Sequence, residues 1–276
     1  MNIIFTIAKK EFQDGLRNRW ILLATLLFVI LTLSLVFLGS APVGEVSAGL
    51  LSITIVSLTT LAVFIIPLIS LILSYNAIVG EVERQTLILT LTLPLKRWHL
   101  ILGKFFGHIT LITIANTIGF CAAFILILIL GNNIEINEGK AFVALFITSI
   151  FLSAVFISIG YLISVIVRRQ ETAAIMAVGV WLFFVLLYDM GLLSTIIFFQ
   201  GKFINTEVFN FLLISNPTDA FRIFNLMGFD SVSALSGMNT VASKINLPLY
   251  APVGIIILWI IFPLVIAMEI FEKKEL

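Results

Sequence analysis

Six charged residues, Glu81, Glu83, Arg84, Lys96, Arg97 and Lys104, crowd into the stretch 76–108, NAIVGEVERQTLILTLTLPLKRWHLILGKFFGH, between two long apolar runs. Carboxylates at the start and cations at the end suit the dipole of a short helix, which favours negative charge at its N-terminus and positive charge at its C-terminus. The chemistry on offer is ion pairing and docking, not bond breaking. Within the same stretch, Leu87 to Leu95 reads as a helical apolar segment stopped at Pro94, and Leu87, Leu89, Leu91 and Leu93 leave apolar surface for a soluble partner to cover. A plain connection between membrane spans requires none of this.

The remaining candidates for chemistry are few. Gly103-Lys104 followed by Phe105 lacks the four-residue spacing between glycines and the following Ser or Thr of a phosphate-binding loop, so the chain reads as a non-enzyme. No cofactor or metal of its own is expected. His99 and His108 stand beside basic residues and have no Cys or acidic neighbour at ligand spacing. The single cysteine, Cys121, excludes an internal disulfide and any CxxC site. Met227 and Met238 form the one external methionine pair, too little for a soft Cu(I) site built by this chain alone. One carboxylate, Asp189 in FFVLLYDMGLL, falls inside an apolar run, where insertion costs about 2.5–3.5 kcal/mol. It needs a partner such as Tyr188 or a neighbouring helix, unless it lies near an interface. Asn216-Pro217 has the form of a helix start, with Asn216 as N-cap, Pro217 at the first helical position and Asp219 in the first turn. Asp219 and Arg222 are spaced to pair at i, i+3.

These residues must be positioned by elements that live in lipid. With 61% hydrophobic and 11% charged residues in 276, the chain is too apolar for a water-soluble domain. Six stretches reach the roughly 20 residues that a helix needs to cross a hydrocarbon core: about 20–38, 50–74, 109–130, 141–167, 172–199 and 252–270. Spanning helices satisfy their backbone internally, so an all-α integral membrane fold with six transmembrane helices, forming one domain over 1–276, is expected. Of the 16 basic residues, twelve fall on one side of these spans and only Lys140, Lys202, Arg222 and Lys244 on the other. The positive-inside rule then puts both termini and the charged stretch in the cytoplasm. A net charge of +1 gives no general field for nucleic acid, which is not expected as a partner.

Two further devices flank the spans. Ile4, Phe5, Ala8, Phe12, Leu16 and Trp20 recur at helical spacing opposite Lys9, Lys10, Gln13, Asp14 and Arg17, the pattern of an amphipathic helix at the lipid interface. The outer segment from Gln200 to Ala251 is too long for a structureless connection and should hold short helices. It offers a surface for an outer partner through Asn216, Pro217, Asp219 and Arg222, or else a cap that packs the bundle.

AKKEFQDGLRNRW, NAIVGEVERQTLILTLTLPLKR, ILGKFFGH and NPTDAFRIFNL together resemble the ABC-2 type permeases, which are type V exporter-like, and the resemblance runs through nearly the whole chain. Gly80-Glu81, Thr86-Leu87, Pro94 and Gly103-Lys104-Phe105 are the residues shared with that group, whose corresponding region forms a coupling helix. Gln85 departs from it, where the group usually has glycine. The resemblance implies a homodimer bound to a cytoplasmic ABC ATPase that holds ATP and Mg. Glu81, Glu83, Arg84, Thr86, Pro94, Lys96 and Arg97 would contact that ATPase, and a periplasmic protein would lie on the outer face. Within the group it is nearest to permeases that serve maturation of the copper centres of nitrous oxide reductase; an exporter of a lipid, drug or peptide is the alternative. A secondary transporter would call for paired intramembrane charges or broken spans, and an intramembrane hydrolase for a nucleophile and base at depth. Asp189 alone supports neither.

Overall fold

In a bilayer a helix is the one open-ended structure that leaves no backbone group unpaired, and long runs of Leu, Ile, Val and Phe adopt it here. The computed structural model describes residues 3–39, 50–92, 95–130, 135–198, 206–228, 232 and 250–274, and these contain helices and turns without a strand. In chain order they are α1 (Ile3–Arg17), α2 (Arg19–Gly39), α3 (Leu50–Ser74), α4 (Val79–Glu83), α5 (Thr86–Leu91), α6 (Arg97–Ile129) and α7 (Ile136–Ile166). There follow α8 (Gln170–Leu182), a π-helical turn (Phe183–Leu187), α9 (Tyr188–Phe198), α10 (Thr206–Ser215), α11 (Pro217–Met227) and α12 (Tyr250–Lys273). Five segments are long and apolar enough to cross a membrane, and a sixth is reached when Ile3–Arg17 and Leu22–Leu38 are taken as one bent span.

The bounds depart from the sequence expectation at one informative place. The third span, expected from Ile109, begins at Arg97 and runs 33 residues without a break. Lys104, read as part of a charged loop, is therefore a helical residue and is buried. The helix continues because other elements neutralise its polar residues, as shown below.

α7 is the hub, with α3 and α12 packed along it. Small residues let α3 and α7 approach closely: a Cβ on Gly160 would come within 2.8 Å of Ser74 Cβ and 3.3 Å of the Ser74 backbone. Two hydroxyls here are satisfied inside their own helices, Ser74 donating to the Ser70 carbonyl at 2.6 Å and Ser153 to the Ser149 carbonyl at 2.8 Å, whereas the Ser70 and Ser149 hydroxyls are buried without a partner. Gly160→Ala is expected to cost about 1–3 kcal/mol by overpacking. Thermal denaturation in detergent checks this, and Ser74→Gly in the same chain should restore much of the loss.

The π-helical turn has a compensating partner at the far end of the bundle. There the Phe184 carbonyl accepts from Asn216 Nδ2 at 2.9 Å and from Thr218 Oγ1 at 3.0 Å. Asn216 also caps α11 as its sequence predicts, accepting from the Thr218 amide at 3.1 Å. α11 is thus a cap packed on α3, α7 and α12.

Candidate functional site: a node of charge at the basic end

The C-terminal end of α12 meets the start of α6, where Arg97 reaches the Phe271, Glu272 and Lys274 carbonyls and Arg168 lies near Lys274, and the charged stretch folds beside it as two short helices rather than one. α4 carries Glu81 and Glu83, α5 carries Leu87 and Ile88, and Gln85 between them has φ 57°, in the left-handed region. That conformation is the one glycine adopts without penalty, which accounts for the glycine usual at this position in the resembling group. The expected single helix from Leu87 is corrected accordingly: the chain turns at Gln85, and Glu81 and Glu83 belong to the piece before the turn. Leu87, expected as docking surface, is instead 1% exposed, whereas Ile88 is 57% exposed. Leu93 and Pro94 lie outside the described residues.

Four of the charges in this stretch, Glu81, Glu83, Arg97 and Lys104, have partners elsewhere in the protein. Lys104 pairs with Glu11 of α1 and, at 2.8 Å, with Glu81 of α4. His108, one turn further along α6, lies 3.6 Å from Glu11 and hydrogen-bonds through Nδ1 to the Tyr161 hydroxyl of α7 at 2.8 Å. Glu83 accepts from the Gln170 amide at 2.9 Å, placing a carboxylate on the N-terminus of α8, where the helix dipole favours it. Arg97 donates to the carbonyls of Phe271, Glu272 and Lys274 at 3.0, 3.1 and 2.6 Å, closing the C-terminal end of α12. Lys274 in turn donates to the Val165 carbonyl of α7 at 2.7 Å. Finally, Ser164 of α7 accepts from the Ile78 and Val79 amides at 2.9 and 3.0 Å and so caps the start of α4.

α4 is thereby tied directly to α6, α7 and α8 and, through Lys104, to α1. Each tie is charge-assisted or satisfies a helix end, the interactions that fix geometry best. The residues turned outward include Glu83, Arg84, Gln85, Thr86, Ile88 and Lys96. Of the seven coupling candidates, then, Glu83, Arg84, Thr86 and Lys96 are exposed, Glu83 and Arg97 also work on neighbouring helix ends, Glu81 is an internal ion-pair partner, and Pro94 lies outside the described residues.

The amphipathic helix is present as α1, but one side of it is packed on protein. Gly103 and Gly107 of α6 form its bed: a Cβ at Gly107 would lie 2.8 Å from the Ala8 carbonyl oxygen, and one at Gly103 3.1 Å from that of Ile4. Phe5 and Leu16, at 67% and 45% exposure, remain for lipid. Glu11, His108, Tyr161 and Ser164 were not read as site residues from the sequence. The Gly103-x-x-x-Gly107 spacing is the signal that points to close helix approach here.

A second cluster lies at the opposite end. Asp189 is paired with Arg222 at 3.0 Å, and Arg222 with Asp219 at 3.1 Å, the expected i, i+3 contact. Tyr188, named as a partner for Asp189, donates instead to the Leu212 carbonyl at 2.6 Å. Asn216, Pro217 and Asp219 are buried against the bundle, so direct contact with an outer partner would require uncovering them; Arg222 is half-buried. Met238 lies outside the described residues. Among the described residues no group of three or more His, Cys, Asp or Glu is arranged to hold a metal ion.

Burial and, after it, the neighbouring Asp189 raise the Asp219 carboxyl from 3.8 to about 8, against the pull of Arg222. The folded protein then holds a proton that the unfolded chain has already released between pH 4 and 8. Stability from this group is complete below the unfolded value and is lost as pH rises through the folded one. The denaturation midpoint in detergent is expected to fall over this range, and Asp219→Asn should remove that part of the pH dependence.

A family model described as ABC-2 family transporter protein matches residues 5–276. A probable ABC transporter permease protein NosY of Stutzerimonas stutzeri is 40% identical over 275 residues, 99% of each chain. A protein of the same description from Pseudomonas aeruginosa is 40% identical over 278 residues, covering 100% of both chains.

Proposed function

We propose that this chain, which belongs to the ABC-2 family of transporter proteins and is a permease related to NosY, is the membrane half of a machine whose ATP is hydrolysed by a separate subunit. Read with six spans, the distribution of basic residues supports both termini and the α4–α5 node lying in the cytoplasm of a bacterial inner membrane. A NosF-like ATPase docks on the node, a second copy of the chain completes the membrane unit, and a NosD-like protein lies on the periplasmic side. The work delivered there serves assembly of the copper centres of nitrous oxide reductase.

The observation that carries this reading is the division of labour at α4–α5. An exposed tip of Arg84, Thr86 and Ile88 follows a short helix, α4, that is tied directly to α6, α7 and α8 and, through Lys104, to α1. Force applied at the tip therefore reaches α1, α6, α7 and α8 without loss in a flexible loop. Span five supplies the argument for a second copy: the Asp189–Arg222 pair is 29% and 26% exposed among Leu186, Leu187, Met190 and Leu193, which are more exposed still. Charge open to lipid is costly, and a protein neighbour removes the cost.

Co-purification tests the docking surface. Wild-type subunit is expected to retain the ATPase through detergent extraction, and Arg84→Glu with Ile88→Asp to lose it while keeping the wild-type denaturation midpoint. Retention of the ATPase by that well-folded variant would place the docking surface elsewhere.

A further inference from the structure

The outward side of α1 carries charge that the protein itself does not balance. Of its two carboxylates, Glu11 is turned inward onto Lys104. Asp14 lines the opening between α1, the α3–α4 corner and α6 together with Lys10, one turn away and of opposite sign. Lys9, Arg17 and Arg19 remain. All three are exposed, and none has an ion-pair partner among the described residues.

The fold sets these cations at the depth of lipid headgroups. α2, with 21 residues, is long enough to cross a hydrocarbon core. α1 meets the Leu22–Leu38 portion of α2 at 70° and therefore runs along the membrane surface instead of through it. Arg17 and Arg19 flank the corner where this span enters the bilayer, and Lys9 lies about two turns back along α1. Helical spacing puts Lys9 on the same side as the exposed Phe5 and Leu16. A lysine among exposed apolar side chains lays its stem along the acyl chains and presents its ammonium to the phosphates. The guanidinium fork of an arginine matches a phosphate with two hydrogen bonds.

We propose that Lys9, Arg17 and Arg19 bind the phosphate headgroups of anionic phospholipids in the leaflet on which α1 lies. Three cations without a counter-charge select an anionic lipid over a zwitterionic one, whose own ammonium offsets its phosphate. Glu11, on the opposite side of α1, joins Lys104 and through it Glu81. Lipid that holds α1 on the leaflet therefore also braces α4.

Site-directed fluorescence quenching of the full-length subunit in phosphatidylcholine nanodiscs tests this. With the exposed Cys121 replaced by Ala, a fluorophore on Gln13→Cys reports from the exposed side of α1 between Lys9 and Arg17. Spin-labelled phosphatidylglycerol is expected to quench it at about twentyfold lower content than spin-labelled phosphatidylcholine, the scale of two cations engaging one anionic headgroup. Lys9→Gln, Arg17→Gln and Arg19→Gln together should bring the two lipids level, whereas Lys9→Arg, Arg17→Lys and Arg19→Lys together should keep the preference. Unlabelled phosphatidylglycerol should raise the denaturation midpoint of the wild type and leave that of the glutamine variant unchanged, as expected of a ligand that binds the folded state. If the glutamine variant fails to give monodisperse protein, Arg17→Gln with Arg19→Gln takes its place with the same expected direction. Equal quenching by the two lipids in the wild type, or a preference that survives the glutamine substitutions, would overturn the site. A surviving preference together with lost binding of the ATPase would assign this face to the ATPase instead.

Discussion

Lys104→Met is expected to destabilise the protein by about 3–5 kcal/mol, the cost of leaving buried charge without its partner. Lys104 is 4% exposed and, among the described residues, is the one ammonium paired with Glu11, at 13% exposure, and Glu81, at 22%. Methionine matches its length, so lost charge and not lost volume is measured. Converting both carboxylates to the amides in the same chain removes the stranded charge, and stability should return to near wild type, because neutral replacements of buried ion pairs are often tolerated. The tie between α1 and α4 would still be weakened. Such a triple variant is expected to fold and to bind the ATPase but to stimulate or restrain its hydrolysis less than wild type. Full coupling in the triple variant would show that the bridge serves folding alone.

Arg222→Met is the second large effect, expected at about 2–3 kcal/mol, less than for Lys104 because Arg222 and Asp189 are a quarter or more exposed. Its signature is a pH dependence. Arg222 draws the Asp219 carboxyl down against burial, so without it Asp219 keeps its proton to still higher pH. The variant should therefore approach wild-type stability in mild acid, where Asp219 is neutral in both proteins, and fall furthest behind above pH 8. Asp189→Asn in the same chain should recover part of the loss. Denaturation midpoints between pH 5 and about 9 decide this, and a loss independent of pH would assign Arg222 a packing role only.

Much of the architecture was legible because the signals are local. Apolar length marked out the stretches that form the long helices, except that α6 begins well before the stretch expected from Ile109. Asn216-Pro217 announced its own helix, and the Asp219–Arg222 spacing its own ion pair. The polar node was hidden for the opposite reason. Glu11 and Lys104 are 93 residues apart, Glu83 and Gln170 are 87, and Arg97 reaches Phe271 across 174. Each of these charges, read in its own neighbourhood, is an exposed residue near a membrane surface, and only the fold supplies the partner that draws it inward. Lys104 and His108 likewise cut the third span short in the sequence, since their neutralising partners lie on α1, α4 and α7. Gln85 shows an intermediate case: its departure from glycine marked a turn, and φ 57° supplies the reason.

α1 and the α4–α5 tip are expected to move as one body when ATP is turned over. With the exposed Cys121 replaced by Ala, spin labels at Gln13 and Gln85 report the distance within one subunit, and a label at Gln85 alone reports the distance between copies. Pulsed electron spin resonance on the ATPase complex, with and without ATP, is expected to show the Gln13–Gln85 distance changing by no more than about 1 Å, as within a rigid body, while the distance between the two Gln85 positions shifts clearly. A Gln13–Gln85 distance that changes with nucleotide while the distance between copies stays fixed would contradict the account.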